Sequence, residues 1–414
     1  MSKRYTEYVD SGVPWLGDVP AGWTTKPLWS MFERIKDVGH PSEQMLSVFR
    51  DYGVVAKDSR DNINKTAENR DIYQLVHPGW LVTNRMKAWQ GSVGISGLRG
   101  IVSGHYICFA PRHDADSRYL NWLFRSPAYA AGYALQSRGV RIGQAEIDND
   151  LYRVMPVLLP PIEEQRAIAD YLDRETARID TLIEEQQRLI DMLHERRAAA
   201  IASTLANLCG IMTRLKYVST IQTGITLGGE GDPVDAEWPY LRVANVQVGY
   251  VDLRVIKTVR VPSERAVRSM LQRGDVLMTE GGDIDKLGRG ALWRGDLPNM
   301  LHQNHIFAVR PSESLDSEFL VYWLDGPVAR IYFRTTAKQT TNLAATNKWT
   351  VGNLPVALPP IEDQRRAITA LDGQTAAIGS LIAETEQFIE LARERRTALI
   401  TAAVTGQMDV REMA

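Results

Sequence analysis

The side chains with the clearest chemical potential in this chain are cations and carboxamides placed next to glycine. Asn84, Arg85 and Lys87 follow an apolar run, Arg99 lies in GLRG, and Arg138 and Arg141 flank glycine in SRGVRIG. Further along, Lys286 and Arg289 lie in EGGDIDKLGRG, Arg334 and Lys338 in RTTAKQTTN with Gln339 and Asn342, and Lys348 follows. Arg and Lys can pair with phosphates or guanine edges, and Asn and Gln can make bidentate contacts to adenine. Neighbouring glycines let a backbone approach such a partner closely. Any one of these residues equally suits a solvated surface charge. As a set they point to nucleic acid, because both halves of the chain carry them at comparable places.

Other chemistries find little footing. Gly228-Gly229-Glu230-Gly231 lacks the Lys-Ser/Thr of a phosphate loop, no GxGxxG occurs, and the Asp/Asn-Pro-Pro-Tyr/Phe of an amino-methyltransferase is missing. His302 and His305 have no carboxylate or cysteine patterned with them, so they read as hydrogen-bonding or packing residues. Cys108 and Cys209 form no zinc pattern and read as buried thiols of a reducing compartment. No catalytic and no metal-ligating residue is therefore assigned. No apolar run approaches the roughly 20 residues that span a bilayer, which predicts a cytoplasmic protein away from membranes.

Two elements must hold the cationic loops in place, and both are written twice. Residues 159–202 and 358–401 align without gaps at 21 of 44 identical positions. Each copy opens with Leu-Pro-Pro-Ile-Glu-Glu/Asp-Gln, where proline and acidic residues suit a helix start. A heptad pattern follows: Leu172, Ile179 and Leu193 with Ile183 and Ile190, then Leu371 and Ile378 with Ile382 and Ile389. Such a stripe needs a helical partner. It could pack on its own neighbouring domain, but matched heptads favour pairing of the two helices. Gly373 and Gly379 interrupt the second copy and predict a kink or a close helix contact there. Before each long helix the chain mixes short strands with at least one amphipathic helix: strands at 72–84 and 101–110 and a helix at 117–130, then strands near 276–279 and 306–310 and a helix at 317–332.

The 414 residues thus divide into globular 1–158, helix 159–209, globular 210–357 and helix with tail 358–414, an α+β design. Overall charge is near neutral, 48 basic against 50 acidic residues, yet its distribution is not even. The globular segments carry 19 basic against 16 acidic groups (1–158) and 17 against 15 (211–357), while the helical ones carry 6 against 10 (159–210) and 6 against 9 (358–414). That polarity suits heads that meet phosphates and a spacer that meets protein.

Taken together, VDSGVPWLGDVPAGWTTKPL at 9–28, the twice-occurring LPPIEEQRAIADYLD and LPPIEDQRRAITALD, the Glu-Arg-Arg that ends each helix, and AAVTGQMDV at 402–410 resemble the specificity subunits of type I restriction-modification systems, the HsdS family. The resemblance implies two similar target recognition domains separated by two long helices in an antiparallel coiled coil. It implies a noncatalytic subunit that reads a bipartite, asymmetric double-stranded DNA target and docks two modification subunits. In complexes that also cleave DNA, two restriction subunits join. S-adenosylmethionine, ATP and Mg are then expected on the partners, and no cofactor on this chain. Recognition domains vary within the family, so the DNA-facing residues named above rest on their chemistry alone. A two-headed structural or inhibitory adaptor and a stand-alone DNA-modifying enzyme are the competing readings.

Overall fold

The computed structural model describes residues 4–59, 69–138, 145–226, 234–339 and 343–411. They fall into two compact units, one of residues 1–187 with 387–414 and the other of residues 188–386. Each unit contains one globular head and a stretch of both long helices.

The heads share one plan. In the first, an antiparallel sheet orders its strands Phe32–Ile35, Tyr106–Pro111, Leu81–Asn84 and Val93–Ile95. In the second the order is Ser219–Thr223, Ile306–Pro311, Val276–Thr279 and Gly290–Leu292, again antiparallel. A helix pair covers each sheet, Ser117–Arg125 with Pro127–Leu135 and Ser317–Asp325 with Pro327–Thr336. The runs 117–130 and 317–332, each read as one helix, are each two, broken at Ser126 and Gly326. The cause is Pro127 and Pro327, whose rings suit a first helical turn and disfavour helical backbone in the residue before. Likewise the run 72–84 is two strands, Gln74–Val76 and Leu81–Asn84, parted by a turn in which Gly79 takes φ +86°.

The long helices run Ile162–Ala206 and Ile361–Val404. Both begin after the Pro-Pro pair, not at Leu159 and Leu358, because those leucines end strands. Pro156–Leu159 pairs with Thr24–Pro27, and Pro355–Leu358 with Ile211–Arg214. In the first unit Ile168 and Leu172 share a core with Leu399, Ile400 and Ala403. In the second, Ile201 and Leu205 share one with Ile368 and Leu371. The start of each helix therefore lies with the end of the other, which makes the coiled coil antiparallel. The same clusters include head residues such as Tyr119 and Leu320, so the stripe serves the helix pair and the neighbouring head at once. Leu172, Ile179, Ile190, Leu193, Leu371, Ile378 and Ile389 are buried, while Ile183 and Ile382 are half-buried.

The close-contact reading of the two glycines and the buried reading of Cys209 both fail here. A Cβ built on Gly373 or Gly379 would meet nothing within 4 Å, and the helix continues through both, so these glycines mark solvent-facing turns and not a close contact. Cys209 is exposed, since it follows the helix end at Ala206 and precedes the strand at Ile211; only Cys108 is buried. Among the described residues no helix is long and apolar enough to cross a membrane.

Candidate nucleic-acid interface

In the first head, the turn after Leu81–Asn84 lies against the short pair Ser137–Arg138 and Glu146–Ile147. The amide of Ile147 donates to the carbonyl of Arg85 (3.1 Å), and the Arg85 guanidinium pairs with Glu146. Arg138 pairs with Asp148 at 2.9 Å. The backbone N–H groups of Leu151 and Asp150, with Arg138 beside them, hold the Asp148 carboxyl below its usual range. The Asn84 carboxamide oxygen accepts from the Met86 amide at 3.1 Å, shaping the turn, whereas Lys87 stands exposed on it. Asn84, Arg85, Lys87 and Arg138 are thus brought together. Arg99 is elsewhere in the head, bound to Glu43 at 2.9 Å.

The second head repeats the arrangement. Strands Lys338–Gln339, Ala344–Ala345 and Gly281–Gly282 form a small sheet, and the Thr346 amide donates to the Glu280 carbonyl at 2.8 Å, the counterpart of the Ile147–Arg85 bond. The loop after Gly282 is held by arginines. Arg330 donates to the carbonyls of Leu287 (2.6 Å) and Asp285 (3.0 Å), Arg334 pairs with the Asp285 carboxylate (2.9 Å), and Arg289 pairs with Asp325 (3.0 Å). Burial and the nearby Arg289 bring Arg330 down to about 10. Lys286, Lys338 and Gln339 project as exposed residues from this assembly, and Lys348 begins the next helix. Arg141 and Asn342 lie outside the described residues.

A division of labour follows. The described candidate arginines, Arg85, Arg99, Arg138, Arg289 and Arg334, all have carboxylate partners, while Lys87, Lys286, Lys338 and Lys348 are exposed with no ion pair among the described residues. The arginines build loops, and the lysines are left as mobile point charges suited to phosphate. Partnered cations were not distinguishable in the sequence, since Glu43 and Arg99 are 56 residues apart. His302 is buried, bonds the Ile306 carbonyl through Nδ1 at 3.0 Å, and is pushed down to about 4 by burial. His305 meets Glu280 at 2.5 Å. No group of three or more metal-ligating side chains occurs among the described residues.

Sequence reasoning missed the joints between helix and head. Gln165, buried, accepts from the Asp116 amide (2.9 Å) and donates to the Pro160 carbonyl (2.8 Å). Gln364 accepts from the Asp316 amide and donates to the carbonyls of Pro359 and Ser314, all at 2.9 Å. Asp116 and Asp316 in turn cap the head helices. The signal was present: glutamine is identical in both copies of the Pro-Pro motif.

No family model matches the chain. It is 20% identical over 424 residues to the type I restriction enzyme EcoKI specificity subunit of Escherichia coli K12, covering 95% of this chain and 90% of that protein. It is 20% identical over 426 residues to the StySPI specificity subunit of Salmonella potsdam, with the same coverage. The fold matches a chain solved in a study of assembly and conformational transition of a type I restriction-modification system, with a TM-score of 0.66 at 16% identity, over 93% of this chain and 98% of that one. Over nearly its whole length the chain is similar in sequence to type I restriction specificity subunits, and it shares its fold with a chain of such a system. The similarity extends over both heads and both long helices. In this chain the Pro-Pro-Ile-Glu-Glu/Asp-Gln motif has a physical task, the fastening of each helix start to the cap of a head helix.

Proposed function

We propose that this noncatalytic specificity subunit reads a bipartite, asymmetric sequence on double-stranded DNA, one part with each head, while the paired helices dock two modification subunits. S-adenosylmethionine is bound by those subunits, which transfer its methyl group to adenine N6. In a complex that also cleaves, two restriction subunits carry ATP and Mg. The site of action is the cytoplasm.

The observation that carries this reading is that one head fold occurs twice, each copy with cationic segments after the same strand and on the same small sheet. Joining two readers makes the second contact intramolecular, so modest recognitions combine. With about 1–3 kcal/mol lost per mismatched pair, a few pairs per head give a large ratio against random sites. The test is a genome-wide map of N6-methyladenine in cells with and without this chain. A bipartite motif that disappears with the chain is expected; an unchanged map would remove the function.

A further inference from the structure

In each head one arginine of the helix pair ties down a surface loop through backbone carbonyls. In the second head Arg330, on the helix Pro327–Thr336, donates to the carbonyls of Leu287 (2.6 Å), Asp285 (3.0 Å) and Ile284 (3.4 Å). In the first head Arg125, the last residue of Ser117–Arg125, donates to the carbonyls of Arg50 (3.0 Å) and Asp51. Those carbonyls form the tip of a hairpin, between the paired strands Leu46–Phe49 and Gly53–Ala56. Burial draws both guanidiniums down to about 10, and both stay charged at neutral pH. A planar fork of five donors suits several carbonyls at once, which a lysine ammonium does not. The two arginines are not related by the repeat. Asp325 stands in the second head where Arg125 stands in the first, and Ala130 holds the place of Arg330. The common scaffold therefore does not call for either of them, and what the two cases share is the loop that is held.

The loop of the second head is fixed on every side. The Asp285 carbonyl accepts from Arg330 and from Arg289, each at 3.0 Å, and its carboxylate takes Arg334 at 2.9 Å. Leu287 is buried, and Gly288, at φ +76°, lies so close to Phe333 that a Cβ would come within 2.1 Å of the ring. Lys286 stands exposed between these anchors. At the hairpin tip of the first head Arg50 and Tyr52 are exposed, and Gly53, at φ +70°, would carry a Cβ to 3.3 Å from the Arg125 guanidinium. Discrimination between base pairs needs a side chain held to within about 0.5 Å of one place. A loop free to shift lets an exposed cation follow whatever phosphate or base edge is near, and the energy gap between right and wrong sequences closes.

We propose that Arg330 and Arg125 are positioning residues for sequence discrimination: each holds the loop of its own head in one shape, without touching DNA itself, and so sets how sharply that head separates its half of the target from other sequences. This role rests on the DNA-reading function above and locates, head by head, where selectivity is set.

The experiment maps N6-methyladenine genome-wide in cells carrying the wild-type chain, Arg330→Lys, Arg125→Lys or Gly53→Ala, and measures the affinity of the purified methylating complex for target and for random duplex. Arg330→Lys keeps the charge and loses the fork. It should cut the ratio of target to random affinity about tenfold, a change the size of one mismatched pair. Random-duplex affinity and its salt slope should not move, since no charge is removed. The motif should become degenerate in one half only, and Arg125→Lys should do the same to the other half. Gly53→Ala leaves Arg125 in place but crowds it at the hairpin tip, so it should blur the same half as Arg125→Lys, and it carries the test where that substitution lowers Tm. A wild-type motif that every variant reproduces, with an unchanged ratio, would overturn the positioning role and leave the DNA-reading function standing. Degeneracy of both halves in one variant, in step with a fallen Tm, would reduce these arginines to structural residues and overturn it as well. A wild-type map without a bipartite motif would overturn the function and the positioning role together.

Discussion

Replacing Gln364 by leucine tests whether the Pro-Pro motif acts as a fastening. The side chain is wholly buried and makes three hydrogen bonds, all at 2.9 Å, to the Asp316 amide and the carbonyls of Ser314 and Pro359. Leucine fills much of the same volume but leaves one donor and two acceptors without partners. At about 1–3 kcal/mol for each stranded buried group, and with some relaxation, the loss should be about 3–5 kcal/mol. For a unit of this size that is a fall in Tm of roughly 10 °C. Gln165 makes two such bonds, so Gln165→Leu should cost about 1 kcal/mol less. Calorimetry gives the Tm, and hydrogen exchange locates the damage: the Asp316 amide should lose protection in Gln364→Leu, and the Asp116 amide in Gln165→Leu. Gln364→Glu keeps the acceptor but aims a carboxylate at two carbonyls, and should be at least as damaging. A Gln364→Leu protein within about 1 kcal/mol of wild type, or one whose Asp316 amide stays protected, would refute the reasoning.

Four further outcomes are expected. Gly373→Ala and Gly379→Ala, at open helical positions, should each raise stability by about 0.5–1 kcal/mol in denaturant titration; a loss would mean the glycines serve a contact after all. Asp275 is fully buried and grips Arg310 through two bonds of 2.7 and 2.8 Å, so Arg310→Leu should cost about 3–5 kcal/mol by stranding the carboxylate, measured by the same titration. His302 is neutral in the fold down to about pH 4 whereas an unfolded histidine protonates near 6.5, so the unfolded state binds more protons between those values. Its contribution is complete above that window and shrinks by up to about 3 kcal/mol as pH falls through it; His302→Gln should flatten the stability curve there. Lys286→Ala should weaken DNA binding by the partner-loaded complex and reduce the salt slope by about one without altering Tm, while Arg289→Ala should also lower Tm because it releases buried Asp325.

Which parts of the molecule were legible follows from the range of the forces involved. The helices could be read because heptads are local and the repeat doubles the signal; Leu172 and Leu371 lie fully buried where the pattern put them. The break in each head helix was equally local, signalled by Ser126-Pro127 and Gly326-Pro327, and the amphipathic run across it obscured the proline. Pairing of cations was another matter. Whether Arg85 or Lys87 faces solvent depends on Glu146, some sixty residues away, and on a hairpin that only tertiary structure brings to the turn.

The last described residues return to the first. Tyr8 donates to the Gly406 carbonyl at 2.9 Å, the Arg411 guanidinium sits 5.0 Å from the centre of the Tyr5 ring, and Val410 is buried in the core of that unit. In the other unit the corresponding passage from helix to head is an ordinary stretch of chain, from Ala206 through Cys209 to Ile211. The backbone is therefore a loop closed by peptide bonds at one junction and by side chains at the other. Sealing Arg411 to Tyr5 with a short linker and opening the chain at Cys209 should yield a permuted protein with the same fold, its second head now leading and its first head following.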